Sequence, residues 1–144
     1  MDRGVRAGRG GHARERRRRR AGSSRPAGSA SGAPAGSALD VRTEHAFSII
    51  LPGDDGEEQI WNGSIDRLVV ARRHGKVVWA EILDYKTDSV NEDRLAARVE
   101  FYRPQIENYA RVVAAQTGLA ITDISRRLVF LSAGRVVAMS RATS

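Results

Sequence analysis

The chain has 144 residues, enough for one domain and hardly two. It contains no cysteine, which excludes disulfides, thiolate zinc sites and cysteine-ligated iron–sulfur clusters. Its formal charge of +7 is carried by one end: residues 1–38 hold ten arginines against Asp2 and Glu15, a net of +8, so residues 39–144 sum to about −1.

Residues 1–40 are rich in Arg, Gly, Ser and Ala, with five consecutive arginines at 16–20. So few apolar groups cannot offset the entropy of ordering, which predicts a disordered tail. An arginine run binds polyanions by counterion release from phosphates; the plainer reading, a solvated leader without a role, is preferred, and a start codon placed elsewhere is a third. AGSSRPAG follows the run where a signal peptide would need an apolar segment, and no apolar run approaches bilayer-spanning length. The expectation is a cytoplasmic protein with no membrane partner.

Residues 41–144 are expected to form the domain. EHAFSIIL at 44–51 alternates as a strand, PGDDGEE at 52–58 is a turn, and QIWNGSIDRLVVAR at 59–72 is a second strand. His74-Gly75 marks a tight reversal into a third strand at 76–86. The period then changes. Ser89 with Glu92 fits a capping box, and Leu95, Val99 and Tyr102 recur at helical spacing. Pro104 is expected to end that helix and open another, whose stripe is Ile106, Tyr109, Ala110 and Val113, with Gly118 as its C-terminal cap. RLVFLSAGRVVAMS at 127–140 reads as two more strands around Ala133-Gly134. The order βββααββ predicts an α/β fold, a sheet with helices packed on it.

Three polar residues fall where packing alone would not put them. Strand alternation places Asp66 on the side of Ile60, Leu68 and Val70. It places Asp84 and Lys86 at the end of a face built from Val78, Ala80 and Ile82. An isolated carboxylate there costs several kcal/mol unless it is paired or holds a metal. Whether the acids meet depends on hairpin register. A strict two-residue loop opposes Asp66 to Leu83; a three-residue loop or a β-bulge opposes it to Asp84. The register pairing Asp66 with Asp84 is the one expected, because it lets the buried charges relieve one another. Two such carboxylates suit Mg²⁺ or Mn²⁺, with the backbone carbonyl of Tyr85 as a third ligand. Lys86 would then orient or help deprotonate an attacking water and stabilise phosphorane charge. Lysine stands out in a chain where 22 of 24 basic residues are arginine. D-x-K alone is short and common, and as a solvated strand end it would need no function; Asp66 at strand spacing argues against that.

GSIDRLVV at 63–70, ILDYKTD at 82–88 and YRPQIENYA at 102–110, in that order and followed by LVFL, resemble the motifs of the RecB-like branch of the PD-(D/E)XK nucleases. The nearest resemblance is to the C-terminal nuclease domain of AddA-type helicase–nuclease subunits, over roughly residues 44–139. It implies a restriction-endonuclease-like core with a mixed central sheet, DNA as substrate, and Mg²⁺-dependent exonuclease-like chemistry in repair or recombination. It implies that Asp66 is the first metal-binding acid, that Asp84 and Lys86 are the D-x-K pair, and that Gln105 and Tyr109 are the Q-x-x-x-Y pair beside the active site. Without it, Tyr109 reads as a core aromatic and Gln105 as a helix N-terminal polar residue. The chain departs from that pattern in two ways. The family's helix before the first strand, with its metal-reaching histidine, cannot be built from residues 1–40, and none of His12, His45 and His74 replaces it convincingly. No Gly-rich phosphate-binding loop of a helicase motor is present. The expectation is the tail of a longer protein that would work with a helicase partner; the alternative is a catalytically inactive remnant that binds DNA or docks on such a partner.

Overall fold

The computed structural model describes residues 32–139; the arginine run and His12 lie outside them. β1 (Ala38–Pro52), β2 (Glu58–Arg73), β3 (Lys76–Lys86), β4 (Ile124–Phe130) and β5 (Arg135–Ala138) form one sheet in sequence order. All neighbours are antiparallel except β3 and β4, which are parallel. A parallel pair needs a long crossover, and the helix α1 (Glu92–Thr117) supplies it. The first strand starts at Ala38, earlier than the pattern at 44–51 implied, and Ala33 already packs near Trp79.

The two expected helices are one. Pro104 lies inside α1, although it lacks an N–H and crowds the carbonyl one turn back, a cost of roughly 3 kcal/mol. Val99 before it and Ile106, Ala110 and Val113 after it bury against the same side of the sheet. That shared core requires a continuous helix, and the Arg103–Glu100 pair at 2.7 Å fastens the turn around the proline. The N-cap is Asn91, not Ser89: its Oδ1 accepts from the Arg94 N–H at 3.2 Å. Gly118 caps the C-terminus as expected, its N–H donating to Ala114 O at 2.9 Å.

The β2–β3 hairpin turns through His74 and Gly75, both at positive φ (51° and 76°). That is the geometry of a two-residue turn whose twist matches the strands, and it explains the glycine. Arg73 opposes Lys76, as a strict two-residue loop requires, but the register shifts between Ala71 and Arg72. Val78 is the extra residue, so Val77 faces the core under α1 while Val78 packs on the opposite side. The face expected to begin at Val78 therefore begins at Val77.

A second break in alternation lies across β1 and β2. Ile65 and Leu68 belong to the same core although they are three positions apart, an odd spacing that strict alternation would put on opposite faces. Glu44, at φ 50°, and Asp66 occupy the one position that the ladder between these strands skips. Ile60, expected on the side of Leu68, is 69% exposed; Trp61 turns towards α1 instead.

The core lies between α1 and the sheet, and includes Ile65, Leu68, Ile82, Ile106, Leu128 and Phe130. On the opposite face Val69, Ala71, Trp79 and Leu83 form a smaller cluster. Glu81 is fully buried beside it, with Arg127 Nε 3.0 Å away.

Candidate active site

Beyond the bulge the hairpin runs in register to Arg67 opposite Leu83, so the next position along carries Asp66 and Asp84. The bulge sets this register, while the turn keeps its two residues. Asp66 reaches over the strand edge, and its Oδ2 accepts the Tyr85 N–H at 2.8 Å. A residue's N–H and C=O leave a strand on the same edge, so the Tyr85 carbonyl also faces Asp66. Asp84 is 3% exposed. Burial pushes its carboxyl up from the ordinary aspartate range; Lys86 opposes that, and neighbouring Asp66 adds to it.

Lys86 is held from three sides. Its Nζ lies 2.8 Å from Asp84 Oδ2, donates to Gln105 Oε1 at 2.8 Å, and sits 4.1 Å from the ring centroid of Tyr102. Gln105 Nε2 in turn donates to the Tyr109 hydroxyl at 3.1 Å. Burial raises the Tyr109 phenol above its usual range, and the negative charges of Asp84 and Asp66 act in the same direction. Thus Asp66, Asp84, Tyr85, Lys86, Gln105 and Tyr109 meet where the middle of β2 and the end of β3 face the middle of α1. Proline at 104 does not separate Gln105 from the strands, because α1 passes through it.

Sequence reading missed two members of the constellation. Helical spacing places Tyr102 in an apolar stripe, yet it offers its ring to Lys86. Its hydroxyl donates to Asp88 Oδ2 at 2.6 Å, which raises the phenol's pKa. The available signal was spacing: Tyr102 lies three residues before Gln105, hence on the same helix face, and Asp88 lies two after Lys86. The two described histidines stay apart. His45 pairs with Gln116 at 3.1 Å and His74 lies in the hairpin turn.

Among the described residues no three or more His, Cys, Asp or Glu side chains are grouped to hold a metal. The constellation instead offers two adjacent carboxylates and a main-chain carbonyl. These are all hard oxygen donors, and the raised Asp84 carboxyl marks a place where added positive charge would be stabilising. The donor set fits a small divalent cation with water in its remaining positions.

Comparison with curated proteins gives no match. The profile of the PD-(D/E)XK nuclease superfamily matches residues 5–142, a span that contains all five strands, α1 and every residue of the constellation. A mixed five-stranded sheet with one packed helix is consistent with a restriction-endonuclease-like fold. With a match over nearly its whole length, the chain belongs to the PD-(D/E)XK nuclease superfamily.

Proposed function

We propose that the protein hydrolyses DNA phosphodiesters with a divalent cation held by Asp66, Asp84 and the Tyr85 carbonyl. The observation that carries this reading is Lys86, an amine fixed at 2.8 Å from both Asp84 and Gln105, beside a second carboxylate. Nucleases of this superfamily generally use divalent metal ions; such an ion, when bound, activates water and offsets charge on a phosphoryl oxygen.

The chain's own residues do the rest. A water oxygen bonds to phosphorus as one ester P–O bond breaks; the water gives up one proton to solvent and the leaving oxygen takes one from it, giving a phosphate monoester and a free hydroxyl. Lys86 Nζ orients that water and donates to the equatorial oxygens, where negative charge grows. Gln105 and Tyr102 fix the amine, so it needs no reorganisation as the charge develops. Tyr109 holds Gln105 in the matching orientation.

The order of motifs on β2, β3 and α1 supports placing the chain in the RecB-like branch, close to AddA-type nuclease domains. That makes a helicase subunit the partner to test, in repair or recombination. The test of the chemistry is cleavage of linear DNA by purified protein. Activity should require Mg²⁺ or Mn²⁺, vanish with EDTA and return on adding metal. Lys86→Ala should remain folded and lose about 100-fold or more. A Lys86→Ala protein as active as wild type would remove the mechanism, and absence of cleavage with any metal would favour an inactive DNA-binding remnant.

A further inference from the structure

A groove of about 730 Å³ opens directly beside this constellation, between the far end of the β1–β2 hairpin and the second half of α1. Gln105 and Tyr109 belong to both. Its floor is aromatic. Phe47 meets Tyr109 edge to face with centroids 5.9 Å apart, and a Cβ on Gly63 would come within 2.7 Å of the Phe47 ring. Glycine at 63 is therefore what lets the hairpin close on Phe47.

The wall is Trp61 with Arg111. The guanidinium lies 4.6 Å from the indole centroid, donates to Pro52 O at 2.7 Å, and has Asp54 3.7 Å away. The indole plane is thus fixed from one side. Three amides, Gln59, Asn62 and Asn108, also line the space. Each offers a donor and an acceptor, the complement of a nucleobase edge.

Charge decides what enters. Among the described residues the lining has one cation, Arg111, and the acids Asp54 and Asp55 at the hairpin tip. A run of phosphates would be repelled there, whereas a neutral heteroaromatic ring would not. The volume lies within the range of small-molecule sites, roughly 300–1,000 Å³, and is too small for a duplex. A base can present its face to an indole only when it is out of its own stack.

We propose that this groove receives an unpaired nucleobase of the substrate strand, stacked on Trp61, making single-stranded DNA or a frayed strand end the preferred substrate. This rests on the nuclease reading for its biological sense, but the binding can be tested apart from cleavage. The full-length chain without divalent metal is titrated with a thymidine oligomer at about 0.2 M salt, which suppresses non-specific phosphate binding. Tryptophan emission is the readout. Trp79 is 9% exposed, so quenching reports on Trp61.

The expected result is quenching by the thymidine oligomer and little by an abasic oligomer or a blunt duplex of equal length. By fluorescence anisotropy of a labelled oligomer, Trp61→Ala should weaken binding about 10-fold, with Trp61→Phe restoring most of it. Equal binding of thymidine and abasic strands by wild type would overturn the proposal, even if Trp61→Ala fails to fold. So would an unchanged affinity in a folded Trp61→Ala protein. Base-dependent quenching without cleavage under any metal would sink the nuclease reading and leave the groove. Metal-dependent cleavage with an unchanged KM in Trp61→Ala would do the reverse.

Discussion

At the scale of single residues, Asp84 is held at a cost and Lys86 is held in place. Burial raises the Asp84 carboxyl, so the folded chain keeps its proton more tightly than the unfolded chain does. The sign follows: this carboxyl's contribution to stability is complete below the pKa of a free aspartate and is lost as pH rises through the raised folded value. Asp84→Asn removes that loss. Measured without divalent metal, it should melt a few degrees above wild type at neutral pH, an effect of about 1 kcal/mol, and the gap should close as the pH falls towards about 4. Such a gain, coupled to loss of cleavage, is the trade expected of a functional rather than a structural acid. Tyr102 makes a second test. Tyr102→Phe keeps the ring beside Lys86 and gives up only the bond to Asp88, so cleavage should stay within a few-fold of wild type; Tyr102→Leu removes the ring and should lower kcat by about 10-fold with KM little changed.

At the scale of elements, α1 and the β2–β3 hairpin show what the sequence could and could not reveal. Strand alternation and the change of period after Lys86 located every strand and the helical segment, because those patterns express which side faces the core. The alternation of GSIDRLVV and ILDYKTD also sufficed to bring Asp66 and Asp84 under suspicion. What failed were readings in which local propensity competes with packing. Pro104 marks a helix end by its own chemistry, but the residues on both sides of it bury against one sheet face. Ser89 with Glu92 is a better capping pattern than Asn91, yet the helix begins where its carboxamide meets the Arg94 N–H. The expected Asp66–Asp84 register asks for a longer loop or a bulge, but the place of the bulge at Val78 and the break at Glu44 were illegible, since neither position carries a residue type that demands it. If packing overrides the proline, then Pro104→Ala restores a missing helical hydrogen bond at no cost to the core. The variant should melt higher by several degrees, on the order of 1–3 kcal/mol. A lower melting temperature would mean that the proline is itself needed for the fit of α1 on the sheet.

At the scale of the whole molecule, charge and chemistry are segregated. The arginines of residues 1–31 give the chain its basic character, while Asp66 and Asp84 of the described domain lie where the sheet faces α1. Salt dependence separates an arginine tail that contacts phosphates from a solvated leader without a role. Affinity for any polyanion should fall steeply with salt, and removing residues 1–31 should flatten that dependence. Metal-dependent cleavage by the shortened chain should persist at low salt, because no member of the constellation lies in the removed segment. No helix of the described residues is long and apolar enough to cross a membrane. On the proposed reading the β2–β3 register builds a cation site from Asp66 and Asp84. Calorimetric titration with Mn²⁺ tests it most directly. Wild type should bind one ion; Asp66→Asn and Asp84→Asn should each abolish binding; and Lys86→Ala, which frees Asp84 of a competing cation, should bind at least as tightly as wild type. No binding by wild type, or binding by either asparagine variant as tight as that of wild type, would contradict the account.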